Sequence, residues 1–278
     1  MTIIVCGAGT MGSGIAENAA RSGYRTIIFD LSEDALAKAK QTIIKNLELL
    51  VEKKKISRDE LQETFSRLDF TTQTSQCSGD IVIEAIIENI SSKTDLYHRM
   101  AEVNGPEVIF ASNTSSLSIS VIAEQLQHPE RVCGMHFFNP AQVMKLVEVV
   151  VGVHTAPWVI EKVSALARSM GKEPVICMDS PGFIVNRVAR HYYLESLQLL
   201  EEGIGTIEQI DALLEGTGFK MGPFRLMDLI GNDINYAVTQ SLYESCGKPV
   251  RFRPSAIQQE KVEHQELGRK SGKGYYTY

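Results

Sequence analysis

Gly7-Ala8-Gly9-Thr10-Met11-Gly12 follows the β-branched run Thr2-Ile3-Ile4-Val5-Cys6 and leads into a helical stretch from Ile15 to Ser22. Glycines at this spacing suit a dinucleotide. Gly7 turns the chain off the strand, Gly9 lets backbone approach the pyrophosphate, and Gly12 lets helix and strand pack closely. The helix N-terminus then offers free N–H groups and a positive dipole end to the phosphates without any basic side chain. A second apolar strand, Thr26-Ile27-Ile28-Phe29, ends in Asp30. A carboxylate there accepts hydrogen bonds from the adenine ribose hydroxyls and repels a 2′-phosphate. Neither Leu31 nor Ser32 supplies the arginine that NADP needs, so the cofactor expected is NAD.

The glycine loop names no reaction, and a second constellation does. His136 ends the strand-like run Val132 to Phe138, Asn139-Pro140 forces a turn, and Leu146 to Val151 runs on as a strand that can return Glu148 beside the histidine. A carboxylate on one imidazole nitrogen fixes the tautomer and stabilises the imidazolium, leaving the other nitrogen to exchange a proton with an alcohol or ketone. Hydride transfer to a nicotinamide requires such a base. Ser115 and Asn186 offer hydrogen bonds to the substrate oxygen or the imidazole. Considered alone, a histidine in Gly-Met-His-Phe-Phe is more often a satisfied core residue than a catalyst.

The elements that must position these residues follow a strand-helix rhythm. Ser32 caps a long amphipathic stretch to about Lys55, answered by a second from Arg58 to Phe65, so the pair reads as a helical hairpin projecting from the sheet edge. Lys53-Lys54-Lys55 sits near its tip, either as a solvated helix end or as a basic clamp for a phosphorylated substrate tail. Short strands are expected at Leu68–Thr71, Ile81–Ala85 and Val108–Ser112, the last ending in polar Asn113-Thr114-Ser115-Ser116 at the carboxyl end of an open parallel sheet, where ligands bind. After Pro174–Met178 only Tyr275–Thr277 suggests a strand, and helical periodicity takes over at Val185–Glu202, Ile207–Glu215 and Leu226–Ser245. The fold class expected is α/β: a Rossmann-type doubly wound sheet with a helical-hairpin insertion, followed by an all-α domain. The boundary is placed at the Pro181 turn, giving residues 1–181 to the NAD-binding domain and 182–278 to a helical substrate and dimerisation domain.

Composition narrows the class further. Of 278 residues, 44% are hydrophobic and 22% charged, as in ordinary soluble globular proteins, and the net charge of −6 argues against a nucleic-acid partner. Five scattered cysteines without a CxxC pair fit a reduced, cytoplasmic protein. No apolar run reaches membrane-spanning length, no secretory segment precedes the first strand, and the six histidines show no metal-ligand spacing.

Longer blocks carry a resemblance. Gly7 to Ala16, Ser112 to Leu117, His136 to Pro140 with Met144 to Glu148, Pro181 to Arg187, Met221 to Phe224 and Gly268 to Tyr276 together resemble the L-3-hydroxyacyl-CoA dehydrogenases, especially the bacterial 3-hydroxybutyryl-CoA dehydrogenases. The similarity covers essentially the whole chain. It implies reversible oxidation of (S)-3-hydroxyacyl-CoA by NAD, in fatty-acid oxidation or butanoate metabolism. It also implies His136 as acid/base, Glu148 as its orienting carboxylate, and Ser115 and Asn186 as contacts to substrate. Cofactor contacts carry over to Gly7, Gly9, Thr10, Met11, Gly12, Asp30, Glu88, Lys93, Ser115, Asn139 and Lys270, and coenzyme A contacts to Lys53 and, where the family often has serine, Asn46. Gly231 to Thr239 resembles the 3-hydroxyadipyl-CoA branch more than the short-chain one. An L-gulonate-type dehydrogenase without CoA and a non-enzymatic NAD-binding protein are the rival classes, discriminated by activity without a thioester and by indifference to loss of His136. A homodimer is expected through Leu194, Leu197, Leu199, Leu200, Leu213, Leu214 and Leu226, whose apolar surface exceeds what these helices bury alone.

Overall fold

A computed structural model describes residues 1–278, and the chain divides into two compact units, Met1–Ser180 and Pro181–Tyr278. The first unit is built on eight strands: β1 (Thr2–Cys6), β2 (Arg25–Phe29), β3 (Leu68–Thr71), β4 (Ile81–Glu84), β5 (Ile109–Ser112), β6 (Val132–Phe137), β7 (Leu146–Val151) and β8 (Glu173–Met178). They form one sheet in the order β3-β2-β1-β4-β5-β6-β7-β8. The chain leaves β1 in one direction and crosses to β4 on the other side, so the crevice outside these two strands' carboxyl ends is the switch point where such sheets bind ligands. The β-branched central strands are buried along nearly their whole length, as parallel strands covered on both faces must be.

The expectation of a parallel sheet holds for every pair but one. β6 and β7 run antiparallel, because the short 138–145 connection leaves no room for a crossover helix. Their register places His136 directly opposite Glu148.

Six helices cover this sheet: α1 (Thr10–Arg21), α2 (Glu33–Glu52), α3 (Arg58–Ser66), α4 (Ile90–Val103), α5 (Ile119–Glu124) and α6 (Pro157–Ser169). Ser32 caps α2, and Ser57 with Glu60 forms a capping box on α3, so each begins where a side-chain oxygen satisfies its first N–H groups. The α2–α3 hairpin does not simply project. Leu36, Ala39, Ile43 and Leu47 join the main core, and Lys53, Lys54 and Lys55 lie exposed in the turn.

The second unit contains α7 (Val185–Glu201), α8 (Ile207–Gly216), α9 (Pro223–Ile230), α10 (Asn232–Ser245) and α11 (Ala256–Glu263) around Tyr193, Leu197, Ile210, Phe224, Met227 and Tyr275. The helix expected over Leu226–Ser245 is two helices. Gly231, at φ +107°, breaks the run in a conformation other residues rarely adopt. The strand expected at Tyr275–Thr277 is a single bridge to Lys273, and the tail is fixed by the Tyr275 and Tyr276 N–H groups, which each donate to the buried Asp228 carboxylate at 2.9 Å. Of the leucines expected on a dimer face, Leu197 is fully buried, and Leu194, Leu199, Leu200, Leu214 and Leu226 pack against this core. Only Leu213 stays largely exposed.

Candidate active site

The glycine loop has the close approaches its spacing implies. A Cβ on Gly12 would stand 1.7 Å from the Gly7 carbonyl oxygen, and one on Gly7, at φ +105°, would stand 2.5 Å from that of Ala85. A Cβ on Gly9 would meet nothing within 4 Å, so the space above this residue is open to a ligand. Gly9 also N-caps α1 without a side-chain cap, and no acidic residue occupies the first turn around Thr10 and Met11. These are the conditions for phosphate at a helix N-terminus. Asp30, just beyond β2, accepts from the Ala8 N–H at 2.8 Å through one oxygen and from the Ser32 N–H at 2.9 Å through the other. Each carboxylate oxygen has two acceptor positions, so both can still take a ribose hydroxyl. The chain's own residues therefore fit a dinucleotide with an unphosphorylated ribose.

A groove of about 410 Å³ runs from this loop between α2 and the 139–142 segment, lined by Gly9, Thr10, Ser13, Thr42, Asn46 and Asn139 among others. Asn46 is not wholly turned to it. Its amide nitrogen donates at 2.8 Å to Glu17, a fully buried carboxyl whose pKa burial raises, with the Asn46 bond and Arg21 opposing.

His136 and Glu148 make the second focus. His136 Nδ1 lies 2.8 Å from Glu148 Oε2, Glu148 is 1% exposed, and the Phe138 ring stands 4.6 Å from the imidazole centroid to centroid. A carboxylate on Nδ1 leaves Nε2 as the nitrogen for proton exchange.

The third focus is the segment after β5. Glu88 gathers it: one of its carboxylate oxygens accepts from the Thr114 hydroxyl, from the Ser115 N–H at 3.1 Å and from the Ser116 hydroxyl at 3.1 Å. Its other oxygen pairs at 3.1 Å with Lys93, a buried ammonium that also lies 2.6 Å from Glu84. Burial pushes the Glu88 carboxyl up, but Lys93 and the hydrogen bonds outweigh it and hold the pKa low. Asn113 Oδ1 accepts from the Phe137 N–H at 2.8 Å, tying the Ser115 segment to the strand of His136.

Asn186 and Lys270 lie in the second unit. Asn186 is in the first turn of α7, its carbonyl accepting from Arg190 Nε, and Arg190 is buried with Nη1 on the Asn235 carbonyl at 2.9 Å. Lys270 pairs with Asp233 at the start of α10. Sequence reasoning gave Glu84 no role and named Asn113 and Thr114 only as part of a polar strand end, without their partners. The signal was a polar cluster at strand ends, Glu84 closing an apolar run and Asn113-Thr114 following another.

Comparison with known proteins bears on the whole chain. The profile for the 3-hydroxyacyl-CoA dehydrogenase NAD binding domain matches residues 2–180, and that for the 3-hydroxyacyl-CoA dehydrogenase C-terminal domain matches residues 182–278. The chain is 47% identical over 279 residues to the 3-hydroxyadipyl-CoA dehydrogenase of Escherichia coli K12, covering 100% of this chain but 59% of that relative's length. It is 39% identical to a probable 3-hydroxybutyryl-CoA dehydrogenase of Deinococcus radiodurans, over 99% of both chains. Among solved structures, the (S)-3-hydroxybutyryl-CoA dehydrogenase of Ralstonia eutropha superposes with a TM-score of 0.96 at 37% identity, covering 100% of this chain and 98% of that one.

Proposed function

Because this chain belongs to the 3-hydroxyacyl-CoA dehydrogenase family, we propose that it interconverts (S)-3-hydroxyacyl-CoA and 3-oxoacyl-CoA with NAD as cofactor, on short-chain thioesters of the 3-hydroxybutyryl-CoA class. The observation that carries the reading is the His136–Glu148 pair at 2.8 Å, buried at the end of β6. Glu148 holds the proton on Nδ1, and His136 Nε2 takes the hydroxyl proton during oxidation and returns it to the carbonyl oxygen during reduction. NAD, when bound, supplies the hydride acceptor.

Each remaining residue has a part. Gly7, Gly9, Gly12, Thr10 and Met11 receive the pyrophosphate at the head of α1, Asp30 receives the ribose, and Asn139, Glu88, Lys93 and Lys270 complete the cofactor contacts. Ser115 and Asn186 orient the substrate oxygen, while Lys53 and Asn46 meet coenzyme A. Residues 1–181 serve as the NAD-binding domain and 182–278 as the helical substrate and dimerisation domain. The proposed homodimer is supported by Val188, Ile204, Leu213 and Phe219, each more than half exposed on the second unit; light scattering at micromolar concentration checks it, and a monomer overturns it. The five cysteines are free and no helix is long and apolar enough to cross a membrane, which supports a cytoplasmic location.

The 47% identity to a 3-hydroxyadipyl-CoA dehydrogenase favours a second reading, with a dicarboxylic acyl chain. NADH oxidation measured with acetoacetyl-CoA, longer 3-oxoacyl-CoA thioesters and 3-oxoadipyl-CoA decides between them. Highest kcat/KM on acetoacetyl-CoA supports the short-chain reading, and highest on 3-oxoadipyl-CoA the second. Reduction of none of them overturns both.

A further inference from the structure

Glu84, at the carboxyl end of β4, is 0% exposed yet carries three hydrogen bonds from three different parts of the chain. Oε1 accepts from Lys93 Nζ at 2.6 Å and from the Ile86 N–H at 2.7 Å, and Oε2 accepts from the Ser112 hydroxyl at 2.6 Å. Lys93 is itself 1% exposed, and Glu88 is its other carboxylate. An ammonium so enclosed is stable only because carboxylates surround it, and removing one leaves a buried charge poorly compensated. Lys93 is therefore not a free cation but the joint between two acids.

Both acids end on the same short segment. Through Ser112, whose oxygen accepts the Thr114 N–H at 3.2 Å, Glu84 holds its start. Through Lys93 it holds Glu88, which takes Thr114, Ser115 and Ser116, and the Thr114 hydroxyl oxygen then accepts from the Leu117 N–H at 2.8 Å. The backbone adds a third tie, the Asn113 N–H on the Glu84 carbonyl at 2.8 Å. Residues 113–117 lie beyond the end of β5 with no strand or helix ladder of their own, and these side-chain bonds hold them in place.

We propose that Glu84 is a positioning residue, which sets the Ser115 segment through Ser112 on one side and through the Lys93–Glu88 bridge on the other. The inference deepens the dehydrogenase reading, and rests on it for the claim that a misplaced Ser115 slows turnover. Glu84 touches neither substrate nor cofactor in this role. Its carboxyl group holds Lys93 in place, Lys93 holds Glu88 in place, and Glu88 presents the Ser115 backbone.

Glu84→Gln preserves shape while removing the charge, and three measurements on the full-length protein test the role. Amide hydrogen exchange without any ligand should show the protection of Ser115, Ser116 and Leu117 falling about tenfold or more while the core strands keep theirs. The dissociation constant for NADH, read by its fluorescence, should rise severalfold. With acetoacetyl-CoA, kcat should fall about tenfold to a hundredfold, with the pH profile unchanged in shape because His136 and Glu148 are untouched. The double variant Glu84→Gln with Lys93→Met removes both charges. It should recover thermal stability but not loop protection or kcat. Loop protection within twofold of wild type, or a double variant that recovers stability and kcat together, overturns the proposal. If Glu84→Gln does not fold, Ser112→Ala cuts one arm alone and should still lower protection at Ser115 to Leu117; no change there overturns it as well. Were the wild type to reduce no 3-oxoacyl thioester, the dehydrogenase reading would fail while the exchange arm still decided the role of Glu84.

Discussion

Asp30 Oδ2 accepts the Ala8 N–H at 2.8 Å, so the acid at the end of β2, the proposed ribose acceptor, also fastens the glycine loop that follows β1. Asp30→Ala therefore removes a loop restraint, a ribose acceptor and a charge at once. NADH binding should weaken by roughly 1 to 3 kcal/mol, while NADPH, freed from repulsion, loses less or gains. Titration of both nucleotides gives the ratio. An unchanged preference for NADH would remove Asp30 from cofactor selection.

Much of the first unit was legible because its signals are local. The run Thr2–Cys6, the glycine spacing, Asp30 and the Ser32 cap each lie within a few residues of what they determine, and Asn139-Pro140 between two apolar runs sufficed to face Glu148 with His136. Glu84 and Asn113 were not legible in the same way. Their partners, Ser112 for one and Phe137 for the other, become neighbours only through sheet pairing. In the second unit the apolar period runs unbroken across Gly231, so the two helices there read as one. Whether Arg190 is buried depends on Asn235 and Thr239 from a distant helix, which no short window contains.

Lys172 should give stability an unusual pH dependence. It is buried, donating to the Ala141 and Met144 carbonyls at 2.6 and 2.8 Å in the β6–β7 connection. Burial lowers its pKa to about 8, Arg21 adds to this, and Glu17 opposes it. The unfolded chain, with an ordinary lysine near pH 10.4, then binds more protons between about pH 8 and 10, so the folded state gains stability as pH rises through that window. Lys172→Met lacks this gradient. Urea unfolding at pH 7, 9 and 10 should show wild type gaining on the variant with pH; a constant difference would mean that Lys172 titrates normally.

Lys53 should act on substrate alone. It caps α2 from an exposed turn, flanked by Lys54 and Lys55, and reaches solvent rather than the glycine-loop groove. If it meets the 3′-phosphate of coenzyme A, Lys53→Ala should raise KM for acyl-CoA about twofold to fivefold, the usual worth of one exposed charge contact. The effect should shrink at high salt, and KM for NADH should not move. Equal ratios at low and high ionic strength would return Lys53 to a solvated helix end.

The cross-strand pair supports the most demanding test. With Glu148 on Nδ1 at 2.8 Å, His136→Gln should lower kcat by about a hundredfold to ten-thousandfold with NADH affinity preserved, since that is the range of a positioned acid/base. Glu148→Gln should approach the same loss. The amide keeps the shape but cannot stabilise the imidazolium, and it leaves the buried Nδ1–H a weaker acceptor. Because the two side chains act as one unit, the double variant should cost far less than the product of the single losses. A single variant keeping more than about half of wild-type kcat, or a fully multiplicative double variant, would take the pair out of the mechanism.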